Sequence, residues 1–302
     1  MRPVLVDLLT VGSCEHPGAV ARRGAPWRPV EFPSLVAVIR HPDHGVVLLD
    51  TGYAPRYATA TRRGPGAVYG RLLPMRLGRG RSLAEQLPAL GIDPADVATV
   101  VVSHLHADHV AGLRDLPAAR VVLDADALAS HVRRGPLGRL RRGFLPALLP
   151  DDLERRVVDV ATLPRWVPDA PRDPAGAGDP QAPQSARTDV TTLGPAHDLL
   201  GDGSVVVVRL PGHAHGQVGL LVASRAGDVL LVGDAAWSLR AITHLELPHP
   251  VVRLVTHSWG AYRATLGALH RLHRTSPGLL VVPSHCPVAI DRARLALAAA
   301  RP

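Results

Sequence analysis

Four side chains of metal-ligand type fall within the six residues HLHADH: His104, His106, Asp108 and His109. They follow ATVVVS, a short apolar run that reads as a buried strand. His104 and His106 are two apart, so in extended backbone they point to the same side. Asp108 and His109 come as the chain turns towards a helix start at Val110, and they face a second position close by. One short loop can therefore serve two metal ions. Imidazole with carboxylate and no thiolate suits zinc, and it also tolerates iron, manganese or cobalt. Charged and polar groups packed this densely at a strand end are costly to bury unless they bind something.

The elements that must position this loop read as strands alternating with helices. PSLVAVIRH and GVVLLD form a hairpin through HPDHG. Residues 53–81, rich in Gly, Pro and Arg, read as a long loop. Ser82 caps SLAEQLPALG, with Glu85 in capping-box register and Gly91 at the end. ARVVLD is a strand and ADALASHV a helix. Residues 134–150 mix Arg with Leu and Phe. They form either an amphipathic lid or, as preferred here, a surface helix with a basic outer face. Residues 168–188 are rich in Pro, Ala and Gly and cannot bury enough apolar surface to offset their ordering entropy. They are expected to be a mobile insertion within a single domain spanning 1–302. SVVVVRL, VGLLVAS, DVLLVG and GLLVVP are strands, and GAYRATLGALHRLHR and RARLALAAA are helices. The layout is an α/β sandwich.

Composition excludes several classes. Hydrophobic content is 46%, which suits a globular chain and not a disordered one. No apolar run reaches the length of a membrane span, and no signal peptide is read at the N-terminus, so a cytoplasmic protein with no membrane partner is expected. Cys14 and Cys286 are far apart and form no CxxC pair, which points to two reduced thiols. The net charge of +8 could attract nucleic acid or a membrane surface. The chain contains no Lys and no Asn, however, the usage of a GC-rich genome. Much of the Arg excess is then compositional, and a nucleic-acid partner is not expected.

The motif HLHADH resembles the HxHxDH signature of the metallo-β-lactamase superfamily. Later segments resemble that family in order: LPGHAHG with His213, LLVGDAAW with Asp234, and VVPSHCP with His285. Upstream, VVLLDTG ends in Asp50, like the family's early Asp motif. The resemblance runs from about Val36 to Cys286. It implies a four-layer αβ/βα sandwich and a dinuclear centre, with zinc the expected metal. It implies His104, His106 and His213 on the first ion, Asp108, His109 and His285 on the second, and Asp234 bridging both. Asp50 would orient a ligand from behind. Relatives of β-lactamase type carry Cys at the bridging position, so Asp234 argues against antibiotic hydrolysis. His215 competes with His213, and the PGH pattern favours His213. His244, His249, His257, His270 and His273 match no ligand motif and are expected on the surface or in a pocket wall.

Two such ions would share a bridging water and lower its pKa, and the hydroxide would attack a carbonyl or phosphorus. Asp108 would accept a hydrogen bond from it and aim it. The ligand set is similar to that of N-acyl homoserine lactonases, which often carry Tyr three residues after the bridging Asp. This chain has Trp237 there, read as a pocket wall. The expected activity is hydrolysis of a small-molecule ester, lactone or thioester, by a chain for which a homo-oligomer is allowed. The alternatives are a phosphodiesterase or nuclease tracking phosphates with Arg133–Arg142, a non-catalytic metal-binding protein, or redox chemistry on iron.

Overall fold

The computed structural model describes residues 3–168 and 188–301. Two sheets account for the strands. The first comprises β1 (Leu5–Pro17), β2 (Pro29–His41), β3 (Gly45–Leu49), β4 (Met75–Arg76), β5 (Val97–Val101), β6 (Arg120–Leu123) and β7 (Val157–Asp159), in the spatial order β4-β1-β2-β3-β5-β6-β7. The second comprises β8 (Ala196–Asp198), β9 (Val205–Arg209), β10 (Val218–Ser224), β11 (Gly227–Gly233) and β12 (Leu280–Pro283), in the order β12-β11-β10-β9-β8.

The strands are apolar on both faces because both faces are covered. Ala37, Ile39 and Val47 of the first sheet meet Val205, Val207, Leu220 and Leu231 of the second in one buried cluster. The alternate residues Val36, Val38 and Leu48 face outward into a cluster with Leu83, Leu87, Leu113 and Leu148. On the far side Val206, Val208, Leu221 and Leu230 pack against Leu266, Leu269 and Leu272 of the helix Trp259–Thr275. The period of two along each strand thus builds four layers, helices outside and two sheets within.

Two regions differ from their sequence expectations. Residues 53–81 are not a long loop: they hold the helices Arg56–Ala60 and Gly64–Leu72 and the short strand β4. Pro65 lies in the first turn of the second helix, where its fixed φ suits helix initiation. Tyr57 and Tyr69 are buried and anchor both helices. The N-terminal segment, to which no element was assigned above, is a 13-residue strand that pairs antiparallel with β2. The capping box of Ser82 and Glu85 forms as expected, and Gly91 ends the run in left-handed conformation at φ 71°. The insertion expected at about 168–188 falls almost wholly outside the described residues. Among the described residues, no helix is long and apolar enough to cross a membrane.

Candidate metal centre

Strand direction gathers the site. β3, β5, β6 and β7 are parallel neighbours in the first sheet. In the second, β9 and β11 both run antiparallel to β10, and β12 is parallel to β11. The carboxyl ends of β3 and β5 lead to Asp50 and to His104–His109, and those of β9, β11 and β12 lead to His213, Asp234 and His285. Crevices beyond strand carboxyl ends are where α/β sheets place ligands. The backbone N–H of Val218 donates to the Ser103 carbonyl at 2.9 Å and pins the two sheets together beside the site.

His106 precedes the helix Ala107–Val110 with extended backbone, so Asp108 and His109 lie inside that helix, which starts three residues before the expected Val110. All seven proposed ligands converge. His104, His106, His213 and Asp234 can each offer one atom within 4.8 Å of the others, and so can Asp108, His109 and His285. Nε2 of His213 lies 3.1 Å from Nδ1 of His106 and 3.3 Å from Asp234 Oδ2. Asp234 connects the groups: its Oδ1 stands 3.5 Å from His109 Nε2 and 3.1 Å from His285 Nε2.

The ring orientations are set from behind. Asp50, fully buried and in left-handed backbone at φ 63°, presents Oδ2 to His109 Nδ1 at 2.7 Å. Its two oxygens also accept from the N–H and hydroxyl of Ser103, at 2.7 and 2.8 Å. His285 Nδ1 lies 2.7 Å from the Pro33 carbonyl, which turns Nε2 inward. The PGH turn needs its glycine: a Cβ on Gly212 would stand 2.3 Å from the backbone nitrogen of Tyr262.

Electrostatics divides the imidazoles into two kinds. Burial holds His104 and His106 well below the ordinary histidine pKa, and adjacent imidazoles push them further down. Burial also lowers His213. These rings are neutral and ready to ligate. For His109 burial acts downward, but Asp108, Asp50 and Asp234 outweigh it and raise it well above the ordinary value. His285 is likewise opposed by burial yet pushed up to about 9 by Asp234 and Asp108. Burial acts to raise Asp234, and the His285 and His109 rings overcome it and hold it far down.

The donor set fits a pair of divalent cations. Nε2 of His104, Nε2 of His109 and Oδ1 of Asp234 are buried without a hydrogen-bond partner. Unpaired buried polar atoms are rare, and three aimed into one cluster of imidazole and carboxylate match the ligand chemistry of zinc and its first-row neighbours.

The cluster forms the floor of a cavity of about 550 Å³ whose lining includes Phe32, Tyr69, Leu140, Trp237 and Val252. Trp237 is a wall residue, and its Nε1 also donates to Asp234 Oδ2 at 3.1 Å. Residues 134–150 are more than a surface helix: Leu137, Leu140, Arg141 and Gly143 line the cavity, and Phe144 and Leu148 are buried beneath. Gly143, at φ 63°, packs so closely that a Cβ there would meet Cδ2 of His106 at 2.6 Å. Sequence reasoning missed Gly143 and Ser103. Ser103 directly precedes the first histidine, and a hydroxyl in that place is the one local signal for it. His215 stays outside the seven: it stacks on His257 at 4.7 Å, with Nε2 3.4 Å from Asp126. Cys14 lines the cavity, and burial pushes its thiol up to about 12. Cys286 is buried and accepts from the Leu239 N–H.

Comparison with known proteins gives a consistent family. The profile of the metallo-beta-lactamase superfamily matches residues 29–285. An N-acyl homoserine lactonase, AttM of Azorhizobium caulinodans, is 31% identical over 227 residues, covering 72% of this chain and 70% of that protein. The crystal structure of a quorum-quenching N-acyl homoserine lactone hydrolase superposes with a TM-score of 0.66 at 13% identity, covering 95% of this chain and 94% of the other. AidC, described as a dizinc quorum-quenching lactonase, superposes with a TM-score of 0.55 at 14% identity over 95% and 90% of the two chains.

Proposed function

Because the chain belongs to the metallo-beta-lactamase superfamily, we propose that it hydrolyses the ester bond of a small acyl-bearing lactone, of the N-acyl homoserine lactone class, at a dinuclear zinc centre. The observation that carries this is the convergence of seven imidazole and carboxylate ligands, three of them with orphaned atoms, on the floor of an apolar cavity. His104, His106 and His213 would hold one ion and Asp108, His109 and His285 the other, with Asp234 offering a carboxylate oxygen to each group. The lactonase names of relatives such as AttM and the dizinc centre of AidC support the substrate class and the metal.

When bound here, a pair of divalent cations would supply Lewis acidity and a lowered water pKa. The protein's own groups do the rest. Asp108, at the cavity floor, accepts a hydrogen bond from the attacking water and aims it. Trp237 fixes the carboxylate of Asp234 through its indole N–H. The wall formed by Phe32, Leu140 and Val252 excludes solvent and holds an acyl chain. A phosphodiester substrate fits less well, since Arg141 is the only arginine among the described lining residues. Both thiols are buried and unpaired, which suits a reducing compartment, and the cytoplasm is the proposed location.

The test is metal analysis coupled to turnover of lactones, thioesters and phosphodiesters. Lactone opening with bound zinc is expected, lost in His106→Ala. Turnover that persists after complete metal removal would sink the proposal.

A further inference from the structure

The cavity mouth is apolar where it meets solvent. Val68, Leu72, Leu137, Val251 and Val255 line the cavity and are nevertheless exposed, Leu137 by 77% and Leu72 by 64%. A side chain that both lines a cavity and faces solvent sits at its rim. Three segments build this rim: the helix Gly64–Leu72, the helix Pro136–Arg141 packed against it, and the turn Pro250–Leu254. Arg141 Nε donates to the Leu254 carbonyl at 2.8 Å and Arg142 to the Thr256 carbonyl at 3.0 Å, closing the collar. Leu254 does not line the cavity but stands beside it, 60% exposed.

Along these three segments the charge is one-sided; the acids nearest the opening are on a fourth, where Glu15, paired with Arg76, and exposed Glu31 flank the part-buried lining residues His16 and Phe32. No Asp or Glu occurs between Asp50 and Glu85, between Asp126 and Asp151, or between Glu246 and Asp291. With 26 acids in 302 residues, stretches of these lengths would ordinarily carry several. The same stretches carry Arg62, Arg63, Arg71, Arg133, Arg134 and Arg253, among others. Arg56 and Arg76 are already paired, with Asp115 and Glu15 on other segments. A GC-rich codon usage explains arginine in place of lysine. It does not explain the exclusion of acids from all three segments that frame one opening.

Exposed leucine and valine tips ringed by cations match the face of a protein that rests on an anionic lipid surface. We propose that the cavity mouth docks on an anionic membrane surface, with the apolar tips among the acyl chains and the arginines at the headgroups. Docking of this kind needs no spanning segment, and it revises the absence of a membrane partner expected from composition. A second copy of the chain fits this face poorly, because self-pairing sets arginine against arginine. The binding does not depend on which bond the centre cleaves.

The experiment is sedimentation of the metal-loaded full chain with vesicles of phosphatidylcholine alone, or of phosphatidylcholine and phosphatidylglycerol in equal parts. The protein should pellet with the anionic vesicles only. Raising salt from roughly 0.1 M to 1 M shortens the screening length from about 10 Å to about 3 Å and should release it. R71E/L254D, and separately R253E, should reduce the bound fraction by about tenfold while turnover of a water-soluble substrate stays unchanged. None of these three residues lines the cavity. Equal binding to both vesicle types, binding to neither, or undiminished binding by the variants would overturn the proposal. So would a dimer in sedimentation velocity that R71E/L254D dissociates.

Discussion

The carboxylate of Asp50 sits 2.7 Å from Nδ1 of His109 and leaves the opposite nitrogen of that ring facing Asp108 and Asp234. Asp50 holds a left-handed conformation that costs an ordinary residue about 1 kcal/mol, and its hydrogen bonds to Ser103 hold it there. Replacing a partner that orients a metal-bound histidine lowers metal affinity by about 10–100-fold. Asp50→Ala should show that loss in chelator competition. An unaltered affinity would mean that His109 needs no orientation.

Gly143 tests how rigidly His106 must be held. Alanine there meets two obstacles, a positive φ and a Cβ 2.6 Å from the imidazole. Gly143→Ala should destabilise the fold by about 1 kcal/mol or more. Displacing a catalytic group by about 1 Å can cost about 100-fold in rate, so turnover should fall far more than the melting temperature. Equal turnover in both proteins would show that the rim yields without moving the ring.

Trp237→Phe removes the donor to Asp234 and keeps the wall. A hydrogen bond to a charged group contributes about 1.5–3 kcal/mol. The variant should therefore lose about tenfold or more in kcat/KM or in zinc retention. Parity in both would reduce Trp237 to a wall.

In metal-free protein, His285 has a pKa raised from 6.5 to about 9. A raised pKa means that the protonated form is favoured on folding. That contribution to stability is fully present below pH 6.5 and disappears as pH rises through about 9. A metal takes only the neutral ring, so loading must expel this proton. Zinc affinity of the apoprotein should rise between pH 6.5 and about 9, with proton release visible by calorimetry in buffers of different ionisation enthalpy. Uptake without proton release in that window would contradict the assignment.

Much of the centre was legible because its chemistry is local. HLHADH places four ligand-type side chains within six residues, and the runs VVVVRL, LLVG and LLVVP announce the strands that carry His213, Asp234 and His285. The rest depends on contacts distant in sequence. Leu5–Pro17 becomes a strand by pairing with β2, and its alternation is blurred by Asp7 and by the register shift between Thr10 and Ser13. The helix Gly64–Leu72 lies in a stretch whose glycines and arginines obscure periodicity, and only Pro65 marks its start. Gly143 touches His106 from 37 positions away in the chain, and nothing around it in the sequence announces a histidine.

The two sheets contribute the proposed ligands separately, His104 to His109 from one and His213, Asp234 and His285 from the other. A cation grasped by both would act as a rivet through the sandwich. Coordination would then add to the hydrophobic contact between the sheets, so that stripping the metal should lower the melting temperature of a chain that stays folded. Durability and chemistry would thereby be fastened at the same point.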